Sequence, residues 1–460
     1  MIRLQLDCSR KLRPVGDLNG MTNGPLTYFG DFSEQFRDMG IRVIRLHETH
    51  ARNTNCVEIP YIFRDFDADE NDPANYYFAA TDAVITAAKE NNIEIIYRLG
   101  MGTEATEPRV FCNALPDYEK WARIAEHIIS HYNEGWANGF HYNIRYWEIW
   151  NEPDLVTYWH DVLDEFTKFF GIASRYLKNR FPDLYFGGLS MAEPWMWAAI
   201  DDVRKKVRNG SWGEVNTYAD KLYKQGFIDD FMKRAGEGEF PLDFLTWHLY
   251  TTDPEEAAFT CDYVNRQMEK VGLLGKIENI NTEWNSISMA NHPYRKDGKR
   301  YDSKNWAIQF APENKIVALA IMMIMQKKGV SKATYYDSDS RGLGALFGYD
   351  GKPENHYYAF KAFSLLREAE TECAVTGEEG GVYACASADE TKCVVIIANN
   401  NPESKQILLD SGKTAVSSVS ALLLDGTHDL TDYDAAGLQD GAVAVTLPPY
   451  SAVVLRMNIG

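Results

Sequence analysis

The sequence predicts an α/β fold, a (β/α)8 TIM barrel, followed by a C-terminal β-sandwich domain. Strand-like and helix-like segments alternate over roughly the first 350 residues, and only short β segments follow Glu370. Alternation predicts a parallel sheet, and eight repeats predict that this sheet closes into a barrel. An open doubly wound sheet is the structural alternative. However, residues 18–24 lack the spacing of the glycine-rich loop that usually follows the first strand of such a sheet.

Each predicted strand is a short run of β-branched and aromatic residues, and each predicted helix repeats its apolar residues with helical spacing. In helix 117–132, for example, Trp121, Ile124 and Ile128 lie on one face. The predicted barrel strands are 15–19, 41–47, 93–99, 146–150, 184–189, 244–250, 277–283 and 333–336. The predicted helices are 32–39, 76–91, 117–132, 161–179, 216–235, 255–271, 313–328 and 357–366.

Three segments make up the predicted domain organisation. Residues 15–368 form the barrel, and residues 369–460 form the β-sandwich, whose short strands are separated by turn pairs such as Asp425-Gly426. Residues 1–14 form an N-terminal strand that has no place in the barrel. We therefore expect this strand to pair with the β-sandwich.

Composition and charge exclude several classes of function. The 460 residues are 45% hydrophobic and 25% charged, as in an ordinary soluble globular protein. A net charge of −19 argues against nucleic acid as a partner and, more weakly, against an anionic substrate. Aromatic residues make up 13% of the chain, which suits the stacking of rings on flat ligands.

The chain has no predicted membrane segment. Its N-terminus lacks an apolar run of signal-peptide length, and the most apolar stretch, 316–325, is too short to span a bilayer and is predicted to be a buried helix. The cysteines are scattered at positions 8, 56, 112, 261, 373, 385 and 393. We expect free thiols in a cytoplasmic protein, with neither a disulfide frame nor a metal site. A secreted protein without its signal peptide would look the same.

Polar and aromatic residues collect at the ends of the predicted strands, where a barrel carries its functional groups. The stretch 146–154 is the clearest case, because a strand rich in aromatic residues stops at Asn151, Glu152 and Pro153. Over all strands, these residues are Arg45, His47, Glu48, Arg98, Asn151, Glu152, Glu193, Trp195, Trp197, His248, Tyr250, Glu283, Trp284, Asn285, Tyr336, Asp337 and Asp339.

Two of these residues, Glu152 and Glu283, end strands four and seven, which face each other across the mouth of an eight-stranded barrel. Glycoside hydrolysis requires two carboxyl groups that flank a central space. A nucleophilic Glu283 must stay ionised, and Tyr250 and Arg45 are the candidate hydrogen-bond donors to it. The acid needs an apolar neighbour, for which Trp147 or Trp150 is the candidate. Asn151 is a candidate ligand of a sugar 2-hydroxyl group.

Each of these residues also has a structural interpretation. Glu283 alone could be an acid at a strand end, and His248 could be a hydrogen-bonded histidine of the core. Trp195 and Trp197 could be core or lid residues rather than a sugar platform. The charged run of the loop after strand seven is interpreted as a solvated surface; it comprises Arg295, Lys296, Lys299 and Arg300. His47 and His50 lack the i, i+4 spacing of zinc enzymes.

Residues 147–154, Trp-Glu-Ile-Trp-Asn-Glu-Pro-Asp, resemble family 39 of the glycoside hydrolases when taken together with Asn-Thr-Glu-Trp-Asn at 281–285. That family includes β-xylosidases and α-L-iduronidases. The resemblance extends over most of the barrel, to Arg-Leu-His at 45–47, His-Leu-Tyr at 248–250 and Lys-Pro at 352–353, followed by Tyr-Tyr-Ala-Phe at 357–360. An attached β-sandwich also fits the family.

The resemblance implies that Glu152 is the acid/base, that Glu283 is the nucleophile and that the anomeric configuration is retained. Carboxyl groups in such sites lie about 5–5.5 Å apart. The sequence departs from the family at the end of strand eight, where many members have tryptophan and this chain has Tyr336 and Asp337. This position lines the sugar-binding subsite, so the sugar stays open.

We therefore expect a retaining, exo-acting β-glycosidase, with β-xylosidase activity favoured. The alternatives are an α-L-arabinofuranosidase, an endo-acting glycan hydrolase and a non-catalytic carbohydrate-binding barrel. The expected partner is a glycoside or oligosaccharide, with no cofactor and no metal, and a homo-oligomer stays open. Besides the two glutamates, the expected substrate-binding residues are Asn151, His47, Arg45, His248, Tyr250, Trp284, Tyr336 and Asp337.

Overall fold

The structure is a computed structural model, and it describes residues 1–27, 30–47, 57–101, 115, 117–154, 158–159, 163–192, 227–287, 311–338, 346–348, 350–434, 436–439 and 442–460. The described residues form a closed barrel, a separate ten-stranded sheet and a two-stranded hairpin. The predicted fold class, a TIM barrel with a C-terminal β domain, is confirmed.

The barrel is a closed ring of parallel strands. Up to its last strand, the chain contains β1 (Ile2–Pro14), β2 (Asp17–Thr22), β3 (Leu26–Thr27), β4 (Gly30–Asp31), β5 (Val43–Leu46), β6 (Glu94–Leu99), β7 (Tyr146–Ile149), β8 (Tyr185–Met191), β9 (Phe244–Tyr250), β10 (Glu278–Asn285) and β11 (Lys332–Tyr335). Eight of them close in the order β10-β11-β2-β5-β6-β7-β8-β9. Each predicted barrel strand corresponds to one of these eight, with shifted ends, and β3 and β4 form the hairpin.

Helices connect the barrel strands and cover the outside of the barrel. They are α1 (Ser33–Asp38), α2 (Ile59–Ile62), α3 (Ala79–Glu90), α4 (Tyr118–Asn133), α5 (Leu163–Arg180), α6 (Phe227–Gly236), α7 (Pro254–Lys270), α8 (Asn314–Lys327) and α9 (Tyr357–Ser364). The single turn α2 was not predicted. The helix predicted at 216–235 is described only from Phe227, because residues 216–226 lie outside the described ranges.

The inside of the barrel changes from apolar to polar along the strands. At one level Val43, Ile96, Tyr146, Phe244 and Ile280 form an apolar cluster. Two residues further along β5 and β7, the inward side chains are charged, because side chains on one face of a strand recur every second residue. The polar layer therefore begins before the strands end.

The C-terminal domain is a sheet that encloses its own apolar core. Its strands are β12 (Thr371–Thr376), β13 (Val382–Ala388), β14 (Lys392–Asn399), β15 (Lys405–Asp410), β16 (Val416–Leu424), β17 (Asp429–Asp432), β18 (Ala436–Gln439), β19 (Ala442–Leu447) and β20 (Ser451–Ile459). Strand β1 lies between β12, to which it is antiparallel, and β15, to which it is parallel. The N-terminal strand thus joins two groups of C-terminal strands.

Helix α8 links the two domains. All its residues from Asn314 to Gln326 are buried, and it contacts α7 and α9 of the barrel as well as β13 and β14 of the sheet domain. This explains why residues 316–325 are apolar on every side. Among the described residues, no helix is both long and apolar enough to cross a membrane.

Shortening Leu4 tests the role of β1. Leu4 is fully buried in the core of the sheet domain, whereas Leu12 on the same strand is 42% exposed. We expect Leu4→Ala to destabilise the protein by about 2–5 kcal/mol, because it leaves a cavity. Leu12→Ala, the matched control, should cost less than about 0.5 kcal/mol. Urea denaturation followed by circular dichroism measures both, and equal effects would contradict the burial of β1.

Candidate active site

Glu152 and Glu283 lie together at the carboxyl ends of β7 and β10, which are separated in the barrel by β8 and β9. Both are buried. One carboxylate oxygen of each glutamate and a ring nitrogen of His248 all lie within 4.8 Å of one another. The barrel thus brings together two acids that are 131 residues apart in the sequence, from 152 to 283.

The backbone after β7 is strained where it presents these side chains. Trp150 has φ +73° and Glu152 has φ +41°, in the left-handed region that residues other than glycine rarely adopt. Such conformations cost about 1–3 kcal/mol each. Neighbouring strands hold this segment, since the amide of Trp150 donates to Leu99 O at 2.8 Å and that of Glu152 to Ser190 O at 3.1 Å. The main chain of the barrel therefore sets the direction of Glu152.

Arg45 of β5 lies beneath the two glutamates and binds three side chains at once. Its Nε donates to Glu148 at 2.6 Å, its Nη2 to Asn151 Oδ1 at 2.6 Å and its Nη1 to Glu283 at 3.0 Å. Burial opposes the charge of Arg45, but the carboxylates of Glu148 and Glu283 outweigh it and raise the pKa of the guanidinium. Arg45 therefore stays charged and holds Glu283 in place.

Tyr250 at the end of β9 is the second donor to Glu283, through a hydrogen bond from its hydroxyl to Oε1. Burial and the neighbouring charge of Glu283 raise the pKa of Tyr250 well above its usual value. The tyrosine stays protonated, so it donates to the carboxylate. Glu283 thus receives two hydrogen bonds that favour its ionised form.

His248 on β9 contacts the other glutamate. Its Nδ1 lies 2.8 Å from Glu152 Oε1, and the same nitrogen lies 3.8 Å from Glu283 Oε2. Burial lowers the pKa of His248 well below its usual value, and the positive charge of Arg45 acts in the same direction. The ring is therefore neutral. Its buried Nε2 has no hydrogen-bond partner within the described part of the chain.

His47 follows β5 and approaches Glu283 from another side. Its Nδ1 accepts a hydrogen bond from Arg98 Nε at 3.0 Å, so the proton of the neutral ring is on Nε2. That Nε2 lies 3.8 Å from Glu283 Oε2. The ring of Tyr336 lies edge-on to His47, at 6.3 Å between centroids. His47 thus connects Glu283 to the end of β11.

Tyr336 and Asp337 follow β11, and the peptide bond between them is cis. Both side chains are buried, and Asp337 is among the negative charges that raise the pKa of Tyr250. Asn285 ties this segment to β10, because its Nδ2 donates to Tyr336 O at 2.5 Å. The end of the eighth barrel strand therefore lies close to the two glutamates.

The structure corrects the expectation for Trp284. Its ring is fully buried and packs against Tyr335 and against Phe360 of α9, in the layer between the barrel wall and the helices. Successive residues of a strand face opposite sides, so Trp284 points outward where Glu283 points inward. Trp284 is therefore a packing residue and does not line the mouth.

The apolar neighbour predicted for Glu152 is also placed elsewhere. The ring of Trp147 stacks on Tyr97, and that of Trp150 packs against Trp121 of α4 and Phe169 of α5. Both tryptophans belong to the layer between the barrel and the helices. They lie next to the glutamate in the sequence, but on the inside of the barrel Glu152 contacts His248.

Several predicted residues lie outside the described ranges, so their part in the site stays a prediction. These residues are Glu48, Glu193, Trp195, Trp197, Arg295, Lys296, Lys299, Arg300 and Asp339.

Sequence reasoning missed Glu148, which lies in the middle of β7. Its carboxylate is fully buried and accepts hydrogen bonds from Arg45 Nε and, at 2.6 Å, from Ser190 Oγ. A charged residue inside an otherwise apolar and aromatic strand was the available signal, because buried charges require a partner. Asn23 was missed too; its Oδ1 accepts from the amide of His47 at 3.0 Å.

Two groups of three side chains within the described residues have ligand atoms close enough to hold a metal ion. One is Glu152, His248 and Glu283, the centre of the site itself. The other consists of Cys8, Cys373 and Cys393 in the sheet domain.

A parallel eight-stranded barrel with two glutamates at the ends of its fourth and seventh strands is typical of retaining glycoside hydrolases. The family model of the glycosyl hydrolases family 39 matches residues 30–338, which include both glutamates. The chain belongs to this family, as its resemblance in sequence predicted.

A β-xylosidase from Geobacillus stearothermophilus is 26% identical over 243 residues, which are 50% of this chain and 41% of that protein. The match thus spans less than half of the length of that relative. A glucosidase from Croceicoccus marinus has a similar structure, with a TM-score of 0.72 at 19% identity over 100% of this chain and 99% of that one. For a monomeric β-xylosidase from Caulobacter crescentus CB15, the TM-score is 0.65 at 13% identity, over 100% and 99% of the two chains. These similar structures show the shared fold.

Replacing Arg45 by lysine tests the network beneath the site. Lysine keeps the charge but cannot reach Glu148, Asn151 and Glu283 at once. We expect kcat/KM for an aryl glycoside to fall by about 10²–10³-fold, as on loss of one preorganised donor. Arg456→Lys is the matched control, because Arg456 forms an exposed forked pair with Glu368. Equal activity of the two variants would contradict the role of Arg45.

Proposed function

We propose that the protein is a retaining, exo-acting β-glycosidase that favours β-xylosides, with Glu152 as acid/base and Glu283 as nucleophile. The observation that carries the proposal is the approach of the two carboxylates, which have an oxygen each within 4.8 Å of the other. Carboxyl groups lie about 5–5.5 Å apart in retaining enzymes. They lie about 6.5–9.5 Å apart in inverting enzymes, where a water molecule fits between one carboxylate and the sugar. The short distance supports direct attack by a glutamate.

In the first step, a Glu283 oxygen attacks the anomeric carbon while the bond to the leaving-group oxygen breaks. Glu152 transfers its proton to that oxygen, so the leaving group departs as an alcohol and a glycosyl ester of Glu283 remains. The donors Arg45 and Tyr250 keep Glu283 ionised before the attack. The ester carries no charge, whereas the carboxylate released from it does. The same two donors therefore also favour the departure of Glu283 in the second step.

In the second step, Glu152 is the base. It takes a proton from a water molecule, whose oxygen bonds to the anomeric carbon as the ester bond to Glu283 breaks. Two inversions give net retention. The neutral ring of His248 donates from Nδ1 to Glu152 Oε1 throughout, which leaves the other carboxylate oxygen to carry the transferred proton.

Two buried polar atoms beside the glutamates are suited to bind sugar hydroxyl groups. Asn151 Nδ2 and His248 Nε2 lack hydrogen-bond partners among the described residues. An unmet buried polar group costs about 1–3 kcal/mol, which a bound hydroxyl would recover. Asn151 Oδ1 is already held by Arg45, so its amide group is fixed. This supports Asn151 as the ligand of the sugar 2-hydroxyl group.

The preference for xylosides rests on relatives whose names include β-xylosidase. A similar structure carries the name glucosidase. The alternatives, an α-L-arabinofuranosidase or an endo-acting glycan hydrolase, would use the same two carboxylates. Tyr336 and Asp337, where the sequence differs from many members of the family, lie close to the proposed sugar site. Both glutamates are present, so a non-catalytic carbohydrate-binding barrel has no support.

Activity on a panel of aryl glycosides tests the proposed function. The panel comprises β-xylosides, α-L-arabinosides, β-glucosides, β-galactosides and α-L-iduronides. We expect the highest kcat/KM on the β-xyloside, and NMR of the first product should show the anomer of the substrate, as the two-step mechanism requires. A preferred sugar other than xylose would overturn the specificity, and the opposite anomer would overturn the mechanism.

Alanine at each glutamate distinguishes the two proposed roles. Glu283→Ala should abolish turnover of all aryl glycosides, because no covalent ester can form. Glu152→Ala should slow substrates with poor leaving groups by about 10²–10⁴-fold, because they need an acid. Substrates with good leaving groups should still glycosylate the enzyme, and azide should restore their turnover by replacing water.

Glu278→Gln is the control, because Glu278 begins the same strand as Glu283 and lies at the opposite end of the barrel, paired with Lys332. It should leave kcat/KM within about twofold, since that face of a barrel serves stability. Retained activity of Glu283→Ala would rule out the nucleophile. If azide restores nothing in Glu152→Ala, and good and poor leaving groups suffer alike, Glu152 is not the acid/base.

A further inference from the structure

Three cysteines meet in the sheet domain, away from the two glutamates. Cys8 of β1, Cys373 of β12 and Cys393 of β14 have their sulfur atoms within 4.8 Å of one another. All three are buried, and Cys8 retains 5% of its exposure. In the sequence they form no motif, since 365 residues separate the first two. Only the pairing of β1 with the C-terminal strands brings them together.

An irregularity in the β1–β12 pairing shapes this cluster. The register runs from Gln5 opposite Thr376 to Asp7 opposite Ala374, and then shifts so that Lys11 lies opposite Cys373. The extra residues 8–10 form a bulge, which redirects side chains from the regular alternation. Both Cys8 and Lys11 are thereby placed beside Cys373.

Lys11 supplies a positive charge that acts on the thiols of Cys8 and Cys373. Its ammonium group donates to Ala388 O, and Ala388 is the strand partner of Cys393. Lys11 thus lies opposite Cys373 and is bonded to the strand partner of Cys393. A fixed cation at this position favours the deprotonated form of a thiol.

The three thiols are hydrogen-bonded to one another. Hydrogen bonds from Cys373 and Cys393 lower the pKa of Cys8, with contributions from the Thr414 hydroxyl and the charge of Lys11. Donation to Cys373 and Cys8, together with burial, raises the pKa of Cys393.

We propose that Cys8, Cys373 and Cys393 form a binding site for a soft divalent metal ion of the Zn²⁺ and Cd²⁺ class. Thiolates are the ligands that such ions prefer. Zn–S bonds of about 2.3 Å place sulfur ligands about 4 Å apart, so the cluster needs only small side-chain rotations. Three thiols and M²⁺ give an M(S-Cys)₃ anion and three protons. Lys11 balances its charge, and the Thr414 hydroxyl or water can complete a tetrahedron.

A disulfide bond is the other chemistry open to neighbouring cysteines. It would join two of the sulfur atoms and leave the third unused. A metal ion uses all three, and it also uses the cation at Lys11. The geometry of the whole cluster thus favours the metal site, and the disulfide becomes an outcome of the test.

Titration of the reduced, full-length protein with Cd²⁺ under anaerobic conditions tests the proposal. We expect one ion per chain to give the ultraviolet absorption of thiolate-to-cadmium charge transfer, accompanied by proton release. Binding at Glu152, His248 and Glu283 gives no such band, because those ligands contain no sulfur. Absence of the band would overturn the proposal. A disulfide among the three cysteines in protein purified without reductant, detected by mass spectrometry, would also overturn it.

Serine variants locate the site. Cys8→Ser, Cys373→Ser and Cys393→Ser should each abolish or strongly weaken the band. Cys385→Ser is the matched control, because Cys385 is a buried free thiol on β13 of the same sheet and lies outside the cluster. It should keep the band, and a band that persists in all three cluster variants would overturn the proposal. If a variant does not fold, X-ray absorption of the Cd²⁺-loaded wild-type protein gives the number of sulfur ligands around the ion. We expect three sulfur ligands, and fewer than two would contradict the site.

Discussion

A single buried guanidinium, that of Arg45, joins the parts of the site. It has no exposure, and its hydrogen bonds run to Glu148 and Asn151 from the β7 segment and to Glu283 on β10. A buried charge is tolerated only with partners, and the loss of one partner leaves the other uncompensated. The positions of three barrel strands are therefore coupled through one side chain. The shape of the site depends on this coupling.

The two glutamates receive unlike partners from the same barrel. Glu283 is held by a cation and a protonated tyrosine, Arg45 and Tyr250, whereas Glu152 contacts the neutral ring of His248. Two carboxyl groups in different surroundings can take opposite roles in one reaction. The unlike partners support the proposed division into a nucleophile and an acid/base. All three partners are inward-directed side chains of two other barrel strands, β5 for Arg45 and β9 for Tyr250 and His248.

Much of the fold could be predicted because it follows from local patterns. The eight barrel strands and the buried helix at 316–325 are visible in short runs of residues, and the motif at 147–154 indicated the family. The side-chain directions at the strand ends were harder to predict. Positive φ at Trp150 and Glu152 and a register shift in β10 before Glu283 interrupt the simple alternation. Trp284 was assigned to the mouth because it lies next to Glu283 in the sequence, whereas successive residues of a strand face opposite sides of the barrel wall.

The sequence by itself determined the type and order of the elements, the family and the two glutamates, because these are encoded in contiguous motifs and periodicities. Only the tertiary structure decided which side chains meet. Glu148 beneath Arg45 and the cluster of Cys8, Cys373 and Cys393 depend on strands that are distant in the chain and adjacent in a sheet. Strand pairing and register set these contacts, and a one-residue change of register reverses the face of every side chain.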